Sequence, residues 1–385
     1  MTGPTTSAAA ARAFDTEAML TDLAELVTCE SFSADLAAVA RSADVVAAQG
    51  ARYLGGVAPE RIVLGGVTHL RWVFGTPKVL LVGHHDTVWP MGSLATHPWS
   101  VRDGIARGPG VFDMKAGLVQ MFHALAASDS LDGIAVLITG DEEVGSTTSR
   151  ELIEDCARGC AAAFVLEASA DGGALKTARK GGSMYELVVH GKAAHAGLEP
   201  EKGINAAVEA AHLVLALGEL AARADEGGAG ASGGWRTTVT PTVLGAGSVT
   251  NTVPARAKVT VDVRVPTRKA QDRVDELIRG LTPTVPGARI EVLGGPNRPP
   301  LEESSSSALF DLAGLTAAHR GLPPLRSAAV GGASDGNFTA GVGCPTLDGL
   351  GAVGGGAHAD HEHVIVAELA PRAQLLAGLI EAVVR

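Results

Sequence analysis

Residues 79–88 read VLLVGHHDTV. Val79 to Val82 is an apolar run of strand length, and the polar group His84, His85, Asp86 falls just past its C-terminal end. The same grammar recurs twice. Ile134 to Thr139 leads into GDEEVGS, which carries Glu142 and Glu143, and Ala162 to Leu166 leads directly into Glu167. Two more strand-like runs precede these, Arg61 to Leu64 and Leu70 to Phe74. Helical spacing fills the intervals: Met19, Leu20, Leu23, Leu26 and Val27 mark a helix over 16–28, and others fit 36–54, 116–127 and 149–156. Strand alternating with helix predicts an α/β fold, a mostly parallel sheet with helices on both faces. In such sheets ligands gather beyond the carboxyl ends of the strands, where these polar residues sit.

The middle of the chain has another rhythm. Met184 to His190 alternates as a strand, Ile204 to Leu220 is a long helix, Thr237 to Leu244 and Ala257 to Val265 are strands, Arg268 to Leu281 is a helix and Arg289 to Leu293 a strand. The order β-α-β-β-α-β is the split ferredoxin-like unit, so residues 182–294 read as a module inserted between 1–181 and 295–385. The chain then returns to a helix (307–319), a strand (345–347), a loop holding His358 and a closing helix (366–384). Residues 225–234 read as a flexible loop inside the insert.

At 385 residues the chain is too long for one typical core, which favours two domains. Its net charge of −11, without a Lys/Arg-rich run, argues against nucleic acid and anionic membrane as partners. No run approaches the roughly 18 apolar residues of a membrane span. The N-terminal stretch lacks a basic start followed by an apolar core and reads as a frayed tail, not a signal peptide. Cys29, Cys156, Cys160 and Cys344 are too few and scattered for a disulfide framework, which suggests reduced thiols and a cytoplasmic location. Cys156 and Cys160, one helical turn apart, have the spacing to share a metal, but an inward-packed helix face is the simpler reading.

Five potential ligands follow in order: His84, Asp113 in GPGVFDMKAG, Glu143, Glu167 and His358 in GGGAHADHEHV. One ion rarely needs five protein ligands, because a catalytic site keeps a position open for water. Two ions sharing a carboxylate need about this set, which points to hydrolysis by a metal-bridged hydroxide. Asp86 is placed to hydrogen-bond His84 and fix its tautomer. Adjacent strand residues face opposite ways, so only one of His84 and His85 can face the metals. Asp113 is read as the bridging carboxylate, with a helix N-cap before MKAGLVQ as the competing role. Of the adjacent pair, Glu143 is read as a ligand and Glu142 as the group that moves the proton. Glu167 ends a buried apolar run, where a carboxylate is costly without a cation. Near His358, His361 and His363 read as solvent-facing or supporting.

Together these residues resemble the dinuclear zinc family of glutamate carboxypeptidase, succinyl-diaminopimelate desuccinylase, acetylornithine deacetylase and aminoacylase. The likeness runs from about residue 16 to the end and includes GKAAHAGLEPEKGINA and TNTVPARAKVTVDVR in the insert. It implies that His84, rather than His85, binds one zinc with Glu167, that Glu143 and His358 bind the other, and that Asp113 bridges them. Cobalt or manganese could substitute. Asp86 would support His84, Glu142 would be the general base, and His195 would stabilise the oxyanion, reaching across a homodimer formed through the insert, a lid domain. Asn251, Arg264 and Arg298 would bind the substrate carboxylate, for which a guanidinium is the suitable partner. Ser334 and Asp335 in GGASDGNF would line the pocket. The implied activity is cleavage of an amide next to a free carboxylate, in a small molecule or short peptide. A carboxypeptidase releasing C-terminal glutamate is the nearest likeness and an N-acyl amino acid deacylase the runner-up. An inactive metal-binding scaffold is the alternative of another class, disfavoured because Glu142, Asp86 and His195 are all present.

Overall fold

The computed structural model describes residues 14–225 and 235–385; the N-terminal tail and residues 226–234 of the glycine-rich loop lie outside them. The chain divides into two compact units. The first holds residues up to Lys176, Ala308–Ser327 and Cys344–Arg385, and the second Thr177–Ser307 with Ala328–Gly343. The second unit is thus wider than the 182–294 read from periodicity.

The first unit is built on a six-stranded sheet. Its strands, in spatial order, are Glu60–Leu64, Val67–Phe74, Ile134–Thr139, Val79–His84, Ala162–Val165 and Thr346–Leu347. The last four run parallel, and the first two are antiparallel to their neighbours, so the sheet is mixed. The antiparallel edge has a local cause. Leu64 pairs Val67 across Gly65 and Gly66, both at positive φ (57° and 88°), which is the two-residue hairpin turn that only glycine-like residues adopt readily. The parallel strands are buried on both faces, which is why Val79–Val82 and Ile134–Ile138 are apolar without alternation.

Helices Thr16–Thr28, Leu36–Tyr53, Ala116–Ala126 and Leu369–Val384 cover the sheet, and Leu23, Leu26, Val46, Trp72, Phe122 and Leu376 meet in one core. Each such side chain contributes roughly 1.5–3 kcal/mol by leaving water. Asp15 and Asp35 cap the first two helices by accepting from Glu17, Ala18 and Ala38 amides. The C-terminal strand ends line up: His84 stands beside Thr139, and the Leu166 amide donates to the Val82 carbonyl at 2.9 Å.

A small sheet of Gly354–Gly355, His363–Ile365, Ile105–Arg107 and Ser100–Arg102 was not anticipated. It joins the His358 loop to the chain just before Asp113. Among the described residues no helix is long and apolar enough to cross a membrane.

The second unit carries an antiparallel sheet in the order Thr238–Ala246, Arg256–Val265, Gly181–His190, Arg289–Arg298. This is the ferredoxin-like order. Helices Ala206–Asp225 and Arg268–Arg279 pack Leu213, Leu217, Val274 and Ile278 onto Tyr185, Leu187, Val259 and Val261. Arg256–Val265 alternates exposed and buried residues, as a strand with one face on a core must.

Candidate active site

His84 is the last residue of its strand and is 1 % exposed. Its Nδ1 lies 3.0 Å from the Asp86 main-chain carbonyl and 3.5 Å from the Asp86 carboxylate. The carbonyl is an acceptor only, so it places the ring proton on Nδ1 and turns the Nε2 lone pair toward Asp113 Oδ1 at 3.3 Å and Glu167 Oε1 at 3.6 Å. The tautomer is therefore set first by the backbone of Asp86. The Asp86 side chain instead holds the neighbouring turn. Its Oδ1 accepts from the Glu142 amide, and its Oδ2 from the Glu143 amide and the Ser33 hydroxyl (2.7 Å). His85 points away, its Nε2 donating to the Thr68 carbonyl at 3.0 Å, and burial pushes its pKa down to about 4.

Asp113 does not cap the following helix. That helix starts at Ala116 after Lys115 and has no side-chain cap, while Asp113 sits in irregular backbone with φ −116° and ψ 93°. Gly110, at φ 70°, begins this turn, and a Cβ there would stand 2.4 Å from Thr87 Cγ2. The two oxygens of Asp113 face different imidazoles, Oδ1 toward His84 Nε2 and Oδ2 toward His358 Nε2 at 3.4 Å. Glu143 Oε2 lies 3.0 Å from the same His358 nitrogen. His358 adopts positive φ (62°), and its side chain is 52 % exposed.

His84, Asp113 and Glu143 offer ligand atoms all within 4.8 Å of one another, as do His84, Glu142 and Glu167. His84 Nε2, Asp113 Oδ1 and Glu143 Oε1 are buried without a hydrogen-bond partner. Each such orphan costs about 1–3 kcal/mol, more when charged, so the cluster fits a cation. Its electrostatics agree. Burial opposes charge on His84, but Asp113, Asp86 and Glu167 hold its pKa well above the usual imidazole value. Asp113 and Glu143 push His358 up to about 10. Burial would raise Asp113, yet His358 and His84 hold it well below the carboxylate range, and burial raises Glu143. The site is short of positive charge.

The turn bearing Glu142 and Glu143 is braced from behind. Asp141 accepts from the hydroxyls of Thr148 (2.8 Å) and Ser149 (2.5 Å), and Thr148 Oγ1 is 3.0 Å from His69 Nε2. These supports were not foreseen, and neither was Glu362. It is 3 % exposed and accepts from the amides of Gly110, Phe112 and Asp113 and from the Trp89 indole. An acid between two histidines reads in sequence as part of a solvated loop, and Glu362 lies just before a strand of only three residues, so no local pattern betrays it. The neighbouring His361 is exposed, and His363 Nδ1 contacts the His361 carbonyl. Cys156 Sγ lies 3.9 Å from an Arg71 nitrogen and Cys160 is buried; neither joins a ligand cluster among the described residues.

The remaining candidates lie in the second unit. His195 Nδ1 accepts from the Gly197 and Leu198 amides, both at 3.1 Å, which leaves its proton on Nε2. Asn251 is adjacent, its carbonyl accepting from the Ala196 amide at 2.8 Å. Arg264 forms a two-pronged pair with Asp262, both contacts 3.0 Å. Arg298 is buried, 3.8 Å from Asp335 and stacked over Phe338. Ser334 is buried, its hydroxyl accepting from the Gly336 amide.

A mixed α/β unit that gathers two imidazoles and several carboxylates beyond its parallel strands is the build of a metallohydrolase. The chain belongs to peptidase family M20/M25/M40, whose model matches residues 80–382, and is a metal-dependent hydrolase. It is 31 % identical over 318 residues to carboxypeptidase G2 of Pseudomonas sp. (strain RS-16), covering 80 % of this chain and 74 % of that protein. It is 30 % identical over 315 residues to a succinyl-diaminopimelate desuccinylase of Methylorubrum populi, covering 76 % and 79 %. The fold matches the M20 family metallo-carboxypeptidase Sso-CP2 from Sulfolobus solfataricus at TM-score 0.70 and 16 % identity, covering 94 % of this chain and 98 % of that one.

Proposed function

We propose that this hydrolase cleaves an amide next to a free carboxylate, releasing C-terminal glutamate or a related amino acid from a small molecule or short peptide. One observation carries the reading: the two oxygens of Asp113 each face a different imidazole, at 3.3 and 3.4 Å. That is the disposition a bridging carboxylate needs. His84 and Glu167 would hold one zinc ion, Glu143 and His358 the other, and Asp113 both; cobalt or manganese could replace zinc. A bound pair polarises the scissile carbonyl and makes water acidic near neutral pH.

The chain's own groups do the rest. Glu142 takes the water proton and returns it to the leaving nitrogen, from a turn that Asp86 holds by two amides. His195 offers Nε2–H, preset by the Gly197 and Leu198 amides, as an oxyanion donor. Asn251, Arg264 and Arg298 are assigned to the substrate carboxylate, with Ser334 and Asp335 shaping the pocket. The insert is assigned as lid and dimerisation domain. Edge strand Thr238–Ala246, with Val243 58 % and Leu244 57 % exposed, supports pairing of two copies there. His195 of one copy would then serve the site of the other. Four free thiols support a cytoplasmic location.

Similarity to a desuccinylase favours an N-acyl amino acid deacylase as second reading. Amine release from a panel of N-acyl amino acids and peptides ending in glutamate, with zinc and with chelator, separates the two. Chelator-sensitive release from glutamate-ended substrates is expected. Release confined to small acyl groups would move the assignment to deacylase.

A further inference from the structure

We infer that Glu362 is a positioning residue that sets the spacing between Asp113 and His358, two of the three groups assigned to the second metal ion. The inference rests on the dinuclear reading above. Asp113 and His358 come from segments 245 positions apart, and the Glu362 carboxylate ties those segments together. Oε1 accepts from the Phe112 amide at 2.9 Å and the Asp113 amide at 3.0 Å, and Oε2 from the Gly110 amide at 3.1 Å and Trp89 Nε1 at 2.6 Å. Four donors converge on one buried side chain, three of them the main-chain amides of the irregular turn that presents Asp113.

The following helix begins at Ala116, and its amides bond back along the chain, so it offers no acceptor to the amides of Gly110, Phe112 and Asp113 that precede it. An amide left without an acceptor in a buried turn is costly, so the turn holds its shape only while Glu362 is a carboxylate within reach. Glu362 in turn is fixed from its own side. The Glu362 amide donates to the Ala359 carbonyl at 2.9 Å, and the Ala359 amide to the Gly356 carbonyl at 3.0 Å, which folds the His358 loop over it. The Val364–Ala106 register then ties the next strand to the chain leading into the Asp113 turn. A change at Glu362 therefore moves Asp113 relative to His358, while His84, Glu143 and Glu167, which end or follow parallel strands, stay in place; the ion assigned to His84 and Glu167 keeps two fixed ligands and the ion assigned to His358 only Glu143. Carboxylates that orient metal ligands typically matter tenfold to a hundredfold in metal affinity.

The test is a Co2+ titration of metal-stripped full-length protein, followed by its visible spectrum and by calorimetry. Wild type is expected to bind in two steps; a single equivalent would sink the dinuclear reading itself, whatever Glu362 does. Given two steps, Glu362→Gln should weaken the second by tenfold to a hundredfold, leave the first unchanged, and regain the wild-type spectrum at excess Co2+. Two unchanged steps, or equal weakening of both, would overturn the inference. Should Glu362→Gln not fold, Trp89→Phe removes only the indole donor and should weaken the same second step alone; no effect, or an effect on both steps, again counts against it.

Discussion

Asp86 shows how much of its surroundings one residue can fix. Its carbonyl sets the His84 tautomer, and its carboxylate receives the Glu142 and Glu143 amides and the Ser33 hydroxyl. Asp86→Ala keeps the carbonyl but frees the turn, so kcat should fall tenfold to a hundredfold while His84 still binds metal; steady-state kinetics beside metal analysis would show the split. Glu142 is the sharper case. Glu142→Gln keeps its size and the turn's two amide bonds but cannot accept a proton. We expect kcat to drop by about 10²–10⁴ with two metal equivalents retained; turnover at the wild-type rate would remove Glu142 from the role.

At the scale of elements, the long ones were legible because burial dictates their composition. A strand covered on both faces must be apolar throughout, as Ile134–Ile138 is, and a half-covered one must alternate, as Arg256–Val265 does. The placement of His84, Glu143 and Glu167 past the parallel strand ends followed from that, since each comes shortly after such a run. Strands of three residues, Ile105–Arg107 and His363–Ile365, show no periodicity, and their pairing across some 250 positions leaves no local mark. Glu362 was hidden for that reason. Glycine makes the same point about context. Gly117 lies where helix Ala116–Ala126 crosses the Leu166 carbonyl, and a Cβ there would come within 2.0 Å of that oxygen. Gly218, in helix Ala206–Asp225, has nothing within 4 Å of its Cβ position. Gly117→Ala should cost roughly 1–3 kcal/mol by overpacking and disturb Glu167 next door. Gly218→Ala should stabilise its unit by about 0.5–1 kcal/mol. Thermal unfolding of the pair tests both signs; a stabilised Gly117→Ala would mean the helix–strand contact is looser than these distances require.

For the whole molecule, buried bases outside the ligand cluster contribute their own pH dependence to stability. Burial holds His85 at about 4, against 6.5 in an unfolded chain, and lowers His69 as well. Between those values the unfolded chain binds protons that the folded one refuses, so stability falls as pH drops from 6.5 toward 4. At ~1.4 kcal/mol per pH unit, His85 alone accounts for about 3 kcal/mol. Buried Lys115 acts in the same sense in another window. Burial pulls it from 10.5 down to about 8, so its own contribution rises as pH climbs from 8 to 10.5; in metal-stripped protein His84 and His358, whose pKa values are raised by their carboxylate neighbours, contribute with the opposite sign above pH 6.5. Urea unfolding of metal-stripped protein separates these contributions from metal loss. Trp72, Trp89 and Trp99 belong to the first unit and Trp235 to the second, so tryptophan fluorescence reports mainly the unit that holds His85. His85→Gln removes the titrating ring. Its stability relative to wild type should improve steadily from pH 6.5 to 4 and stay level above 7. Parallel curves for the two proteins would show that His85 is protonated without opening the fold, and that its burial is shallower than its 1 % exposure implies.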